Sequence, residues 1–340
     1  MGRGLRRQRE PGSLSLPKVC FAPIWYPVEH YATSRLRAKY VVDLFACDRV
    51  WDVDINYNSD ADIAVVVQLC SDRNFELISA NRSQIVVYDI CDRFFATDNV
   101  FKTDEGVLHA RSRCREMIRR ADVLITPTRR LQEEVTRLFP DTPCFYVPEL
   151  VDYGASPRAA TEVGSKRLVW FGHTTRGNFD TARWIIDALR SSHGYSPVLV
   201  TTPGTMMRRY PAYRDYCVPW SVEAVGRELA AAELCVVAHA ANEPAKSANR
   251  FITATMHGVP TLVSGSPSCL ELLDATGHRD FAVESASDID RLVEILSNAD
   301  RRAAYVRDLQ EEMWRRHAPD VVRQAYLELF EKIWTDSSNY

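Results

Sequence analysis

Four polar residues suited to anion binding occur at a predicted helix start: Lys246, Ser247, Asn249 and Arg250. They follow an apolar run ending near His239, and we expect Ser247 to be the N-cap of the helix and Gly258 its C-cap. A helix start offers free backbone N–H groups and the positive end of the helix dipole. Arg250 in the first turn is unfavourable without an anionic partner. The stretch therefore indicates a phosphate site, with a capped surface helix as the alternative.

Two carboxylates, Asp89 and Asp92, stand at the end of the β-branched run 84–90. A carboxylate at such a strand end could accept or orient a hydroxyl proton, and the alternative is an Asx turn or helix cap. Asp92 is the better candidate for a residue facing a cleft. His109 could do similar work, but it falls inside a predicted helix and fits a surface position as well.

Three arginines repeat at a spacing of four residues in the helix predicted over 105–121: Arg111, Arg115 and Arg119. Side chains at this spacing share one face of a helix. The face could meet an anionic acceptor or a lipid headgroup, and the alternative is a solvated charged face.

The composition is that of a globular protein of about two domains, with 340 residues, 46% hydrophobic and 26% charged. A net charge of −3 gives no basic field for nucleic acid, so we expect no nucleic-acid partner. Nine scattered cysteines without a C-x-x-C pair favour a reducing cytoplasm over disulfides or a zinc ribbon. No metal-binding motif, P-loop or G-x-G-x-x-G after a strand is present, so we expect no metal and no cofactor.

Short apolar strands alternate with amphipathic helices along the chain, which predicts two doubly wound parallel α/β domains facing across a cleft. The runs DIAVVVQL and QIVVYDI are typical of strands buried on both faces. The Gly-, Ala- and Ser-rich stretch GASPRAATEVGSKR marks the domain boundary. The expected divisions are a disordered basic tail, an N-terminal domain, a linker, a C-terminal domain and a final helix: 1–16, 17–152, 153–166, 167–318 and 319–340.

The order of several loose motifs resembles that of the GT-B glycosyltransferases, close to family 4. RRADVLITPTRRLQEEV and YVPELVD resemble the segment before the interdomain crossing and the crossing strand itself. LVWFGHTTRGN resembles the first strand and phosphate loop of the donor domain. ELAAAELCVVAHA, the polar helix start and the G-x-P at 258–260 resemble the donor helix and its flanking strands. The final helix resembles the one that returns to the N-terminal domain, where we place the acceptor.

The resemblance implies a set of donor-binding residues around a nucleotide-diphosphate sugar: Gly172, His173, Arg176, Trp220, His239, Lys246, Ser247, Asn249, Arg250 and Thr253. Arg176 would contact the phosphates, Trp220 would stack on the base and Thr253 would lie near the ribose. The chain departs from the family at Thr253, where a glutamate is common, and at Ala245, where its acidic partner would stand. The first loop carries no Gly-Gly and has acceptor-side candidates in its place: Ser34, Arg35 and Arg37.

We therefore expect a cytoplasmic, metal-independent glycosyltransferase with a nucleotide-sugar donor and a small-molecule, glycan or lipid-linked acceptor. Asp92 or Asp89 is the expected acid–base or orienting group, and contact with a membrane surface stays open. Two alternatives remain. One is a degenerate transferase that only binds nucleotide sugars, and the other is a sugar-nucleotide 2-epimerase of the same fold.

Overall fold

The computed structural model of the chain describes residues 16–23, 31–46, 48, 50–96, 105–152, 156–174, 177–240 and 243–338. The chain folds into two compact units. The first comprises Met1–Leu150 with His317–Tyr340, and the second comprises Val151–Arg316. The expected boundaries at 152 and 318 each lie two residues beyond this division.

A parallel sheet with the strand order β2-β1-β3-β4-β5-β6 forms the centre of the first unit. Its strands are β1 (Lys18–Pro23), β2 (Asp52–Ile55), β3 (Ile63–Val67), β4 (Ile85–Asp89), β5 (Val123–Thr126) and β6 (Cys144–Tyr146). Every residue of β3 and β4 is buried. The β-branched runs thus form strands covered on both faces, as expected from the sequence.

Helices flank this sheet. They are α1 (Ala32–Ser34), a π-helical turn (Arg35–Lys39), α2 (Tyr40–Leu44), α3 (Asp72–Ala80), α4 (Glu105–Arg120), α5 (Arg129–Leu138) and α13 (Pro319–Ser338). The last of these packs apolar side chains into the core of the first unit. The ring of Tyr326 lies 5.8 Å from that of Phe21, and the ring of Phe330 lies 5.4 Å from that of Trp51.

The second unit has a parallel sheet of its own, with the order β11-β10-β7-β8-β9. Its strands are β7 (Arg167–Phe171), β8 (Ser196–Thr201), β9 (Cys217–Pro219), β10 (Leu234–Ala238) and β11 (Thr261–Ser264). Its helices are α6 (Asn178–His193), α7 (Pro203–Arg209), α8 (Val222–Ala230), α9 (Asn249–Met256), α10 (Pro267–Ala275), α11 (Ala286–Ser297) and α12 (Ala299–His317), with 3₁₀ turns at Pro211–Tyr216 and Arg279–Phe281.

Each sheet contains a point where the strand order reverses. In the first unit this point lies between β1 and β3, and in the second it lies between β7 and β10. Helices that leave neighbouring strands there turn to opposite faces of the sheet, which opens a crevice beyond the carboxyl ends of the strands. Open α/β sheets bind ligands in such crevices, so these two edges are where a site is expected.

The α/β class and the parallel sheets are confirmed, but three helices were not expected from the sequence: α3, α7 and α10. Each has only seven to nine residues. A helix of two turns gives little periodic signal. Pro203 and Pro267, which read as turn residues, occupy the first turns of α7 and α10, where proline is tolerated.

Candidate functional site

The polar cluster at 246–250 lies at the start of α9, which begins one residue later than predicted. The N-cap is Ala248, and no side chain caps this helix. The prediction that Ser247 is the N-cap is therefore wrong, because Ser247 stands one residue outside the cap position. An uncapped helix start leaves its first N–H groups without the side-chain acceptor that usually satisfies them.

Arg250 in the first turn of α9 reaches back to the carboxyl ends of two strands. Its Nη1 donates to the carbonyl of Phe171, the last residue of β7, at 3.2 Å. Its Nη2 donates to the carbonyl of Ala238, the last residue of β10, at 3.1 Å. Since β7 and β10 are the strands between which the order reverses, the guanidinium sits at the switch point of the second sheet.

The charge of Arg250 is not neutralised nearby. Within the described part of the chain no carboxylate lies within ion-pair distance of this guanidinium, although Glu243 acts on it at longer range. Burial lowers the pKa of Arg250, because a desolvated cation is disfavoured. A partly buried cation beside an uncapped helix start is an arrangement that an anion would stabilise.

Gly172 leaves room for the guanidinium of Arg250. The glycine follows β7 with φ +145°, and a Cβ built on it would lie 2.9 Å from Arg250 Nη1. Thr201 Oγ1 donates to the Gly172 carbonyl at 2.6 Å and fixes the turn. A side chain at this position would push the end of the Arg250 side chain aside, and the φ of Gly172 also favours glycine.

Further predicted donor residues surround the same edge. His239, buried next to Ala238, shares a 2.7 Å hydrogen bond through Nδ1 with Ser266 Oγ. His173 is exposed beside Gly172, and the partly buried Trp220 follows β9. Two residues that were not predicted also lie there: Ser266, which orients His239, and Asn178, whose Oδ1 accepts from the Ala240 amide at 3.4 Å. Their positions after a strand and at a helix start could have suggested them.

Two of the predicted donor residues, Thr253 and His239, are buried in this structure. Thr253 is fully buried within α9, and its hydroxyl has no hydrogen-bond partner in the described residues. Its side chain is therefore closed to a ribose in this structure. Arg176 lies outside the described residues. Lys246, Ser247 and Asn249 are partly buried around the start of α9.

In the first unit, Asp89 and Arg37 bind each other. Both side chains are fully buried, with Nε to Oδ2 at 2.7 Å and Nη2 to Oδ1 at 3.1 Å. Arg37 Nη1 also donates to the carbonyls of Val147 and Pro148. Burial alone would lower the pKa of the Arg37 guanidinium, but Asp89 together with Tyr326 and Cys91 raises it above its ordinary value. The expected catalytic role of Asp89 and acceptor role of Arg37 do not fit this geometry, because the pair uses its own polar atoms and is closed to solvent.

The other predicted residues of the first unit are placed unequally. Ser34 and Arg35 are buried in the helical segment that contains the π-helical turn, not displayed on a surface. His109 is exposed on α4, 3.2 Å from Asp72 at the start of α3. It lies on the helix surface, which was the alternative to a role in proton transfer.

Asp92 lies just beyond the carboxyl end of β4 and is partly buried. Gln68, the residue after β3, donates from Nε2 to Asp92 Oδ2 at 3.0 Å. Gln68 has φ +63°, a conformation that costs a non-glycine residue about 1 kcal/mol or more. This strained glutamine was not predicted. It places Asp92 at the carboxyl edge of the first sheet.

No group of three or more His, Cys, Asp or Glu side chains suited to a metal occurs among the residues that the structure describes. The same part of the chain contains eight cysteines, all free. It has no helix that combines the length and the apolar character needed to cross a bilayer.

Neither a family model nor a curated protein matches the chain. Solved structures do. An alpha-glucosyltransferase in complex with UDP-glucose and DNA containing an abasic site has a TM-score of 0.60 and 11% identity, over 92% of this chain and 99% of that one. Anabaena HepE in complex with UDP and glucose has a TM-score of 0.60 and 11% identity, over 93% and 99%.

A longer neighbour is a mutant of S. aureus TarM in complex with fondaparinux, alpha-GlcNAc-glycerol and UDP. Its TM-score is 0.57 and its identity is 10% over 80% of this chain. The chain spans only 56% of that protein's length. Across all three neighbours the likeness lies in the arrangement of strands and helices. The chain therefore has the fold of the GT-B glycosyltransferases.

Proposed function

We propose that the chain is a glycosyltransferase that takes its sugar from a nucleotide-diphosphate sugar bound to the second unit. The observation that carries this proposal is Arg250, a partly buried cation held at the β7–β10 switch point beside an uncapped helix start. A diphosphate would supply both the missing anion and the missing cap. The structural neighbours, two of them solved with UDP and one with UDP-glucose, support a donor of this class.

In the proposed reaction the diphosphate leaves the sugar, and its developing negative charge is stabilised by fixed positive groups. We propose that Arg250 and the first N–H groups of α9 supply this positive charge, together with Lys246 and Arg176. The exposed His173 would face the sugar, and the buried His239, bonded to Ser266, would support the carboxyl end of β10 beside it. Trp220 would lie against the base. We propose no metal or cofactor, because these cations can take the role a metal would have.

The first unit would hold the acceptor, with Asp92 as the group that accepts or orients the acceptor hydroxyl proton. Gln68 fixes that carboxylate by its 3.0 Å hydrogen bond. We propose a small-molecule, glycan or lipid-linked acceptor. We do not propose a nucleic acid, because the net charge is −3.

One observation favours a second candidate, a protein that binds nucleotide sugars without turning them over. Thr253 and Ala245 stand where the family commonly has two acidic residues, and both are buried here. These two positions therefore supply no carboxylate that could bind a ribose. Sugar transfer to an acceptor distinguishes the candidates, and a sugar nucleotide altered without any acceptor would indicate an epimerase.

The first test is the Tm of the full chain with UDP, GDP, ADP and dTDP and their sugars, for the wild type and Arg250→Met. A ligand that binds only the native state raises the free energy of unfolding, and therefore the Tm. The gain in free energy is about 2.7 kcal/mol when the ligand concentration is a hundred times Kd. We expect one nucleotide to raise the Tm, and Arg250→Met to weaken its binding about tenfold or more, because a charge-assisted contact is lost.

Arg302→Met is the matched control. Arg302 is also buried and donates to backbone carbonyls, those of Thr161, Leu296 and Glu233, but Glu233 precedes β10 and so lies at the opposite edge of the sheet. Its loss should lower the Tm without changing the nucleotide Kd. Equal nucleotide affinity in wild type and Arg250→Met would refute the proposed site.

A further inference from the structure

Arg111 of α4 is partly buried, and two nitrogens of its guanidinium have no hydrogen-bond partner in the described part of the chain. Its Nε and Nη2 are buried and form no hydrogen bond with any residue that the structure describes. Two other arginines of the same helix, Arg113 and Arg115, each have a partner for part of the guanidinium. Arg113 pairs with Asp72 and Glu116, and Arg115 donates from Nε to the Phe95 carbonyl at 3.0 Å. The burial of these two donors is costly, because each has lost water and gained no hydrogen bond in exchange.

The position of Arg111 along α4 is fixed by contacts on either side of it. His109 and Arg113 both bond Asp72, the first residue of α3. Since α3 leaves β3 at the carboxyl edge of the sheet, this part of α4 lies at the height of that edge. Arg115 is bound to Phe95, in the loop that contains Asp92. Arg111 therefore stands near the edge where the acceptor is proposed to bind.

The direction of Arg111 follows from helix geometry. Four residues advance about 400° around a helix, so a spacing of four drifts by about 40° at each step. Cys114 faces the core, Arg115 lies on the side of the Phe95 loop, and Arg119, one step later, is exposed. One step earlier, Arg111 falls between the core-facing side and the side of the loop. The three arginines are therefore not equivalent, and the sequence spacing alone could not show this.

We propose that Arg111 binds an anionic group, a phosphate monoester or a carboxylate, carried by the acceptor. A bidentate anion would satisfy the buried Nε and Nη2 together, which is the geometry that guanidinium offers to these groups. That the anion is carried by the acceptor rests on the proposed function. The anion site itself rests only on Arg111 and its surroundings.

The test uses the full chain with Arg250→Met, so that the proposed donor site does not contribute to phosphate binding. In that background, binding of inorganic phosphate and of glycerol 3-phosphate is measured by calorimetry and by Tm, with glycerol as the uncharged probe. Arg111→Met is compared with Arg119→Met, which removes an exposed arginine from the same helix. We expect Arg111→Met to bind phosphate and glycerol 3-phosphate about 10- to 100-fold more weakly, and Arg119→Met to bind them unchanged.

A structural role for Arg111 predicts a different result. Removal of two buried donors without partners should leave the Tm of Arg111→Met equal to or above that of Arg119→Met without ligand. A lower Tm, equal phosphate affinity in both variants, or no phosphate binding in either one would overturn the proposal. Nucleotide binding in the Arg250 wild-type background is scored separately, so failure of the donor site is not mistaken for failure of this one.

Two sources of the anion are separated by a third arm. Vesicles of phosphatidylcholine with phosphatidylglycerol are sedimented with the wild type and with Arg111→Met. Sedimentation that needs Arg111 and is competed by glycerol 3-phosphate supports the proposal with a lipid headgroup as the source. Binding of glycerol 3-phosphate without sedimentation supports it with a free phosphorylated acceptor.

Discussion

Arg250 and Gly172 form one structural feature although 78 positions separate them in the chain. The arginine needs the carbonyls of Phe171 and Ala238, and the glycine leaves open the space that its guanidinium fills. The arginine could be recognised from its misfit with the helix dipole, a local signal. The need for glycine at 172 could not, because it depends on a side chain from a distant helix.

We predict that Gly172→Ala weakens nucleotide binding about tenfold or more. The new Cβ would lie 2.9 Å from Arg250 Nη1, so the guanidinium must move off the strand ends. Gly164→Ala is the control, because Gly164 also has a positive φ, +118°, but nothing lies within 4 Å of its Cβ position. Both variants carry backbone strain, and calorimetry with the best nucleotide separates them. Equal Kd values for the two variants would contradict this reading of Gly172.

Partners far apart in sequence limited what could be predicted at this scale. Asp89 reads as an accessible carboxylate at a strand end, whereas Arg37, 52 residues away, takes both of its oxygens. Such a pair leaves no local pattern. The start of α9 was predicted within one or two residues, since polar residues before an apolar period are a local signal. The identity of its cap depends on backbone angles that residue types alone do not fix.

Helix α9 is anchored at its carboxyl end as well as at its proposed ligand end. Gly258, just after it, has φ +80°, and a Cβ there would lie 2.0 Å from the Ala159 carbonyl oxygen. The backbone of the segment 158–161 is bonded to this end, from Arg158 to Met256 and from Thr161 to Gly258. The segment that begins the second unit is thus fixed to the helix that is proposed to bind the donor.

We predict that Gly258→Ala lowers the free energy of unfolding of the second unit by about 3 kcal/mol or more. A positive φ alone costs alanine about 1–2 kcal/mol, and the clash with a backbone oxygen adds to it. Gly277→Ala should show only the first part, because its φ is +72° and its Cβ position is open. Urea unfolding of both variants measures the difference, and similar losses would show that the contact with Ala159 is unimportant.

Long or fully buried elements were predictable at the scale of helices and strands. Strands β3 and β4 carry runs rich in β-branched residues, and α4 and α6 each supply sixteen residues of period 3.6. The π-helical turn at Arg35–Lys39 was not predicted, since the same residues suit an α-helix. Arg37 within this turn bonds Asp89 of β4, a tertiary contact that the local residue types do not encode.

At the scale of the whole molecule, stability should depend on pH through His257. Burial lowers the pKa of His257 below its ordinary value of 6.5. Below about pH 6.5 this histidine binds a proton in the unfolded chain but not in the folded one. The free energy of unfolding therefore falls as the pH drops from about 6.5 toward the pKa of His257 in the folded state. We predict that His257→Asn, whose amide can replace the Nδ1 bond to the Thr253 carbonyl, shows a smaller loss of Tm between pH 7 and pH 5.

His109→Asn, at an exposed position of the first unit, is the control and should retain the wild-type pH dependence of the second unit's transition. A profile for His257→Asn that matches the wild type would show that this histidine does not set the acid sensitivity.

The first unit is completed by α13, whose Tyr326 and Phe330 rings pack on Phe21 and Trp51. During synthesis these partners emerge from the ribosome some three hundred residues apart. The second unit, Val151–Arg316, is continuous in sequence and needs no later segment to complete its core. The domain that is translated first is therefore the last to close its core, and until translation reaches α13 its apolar face is a target for chaperones and for aggregation.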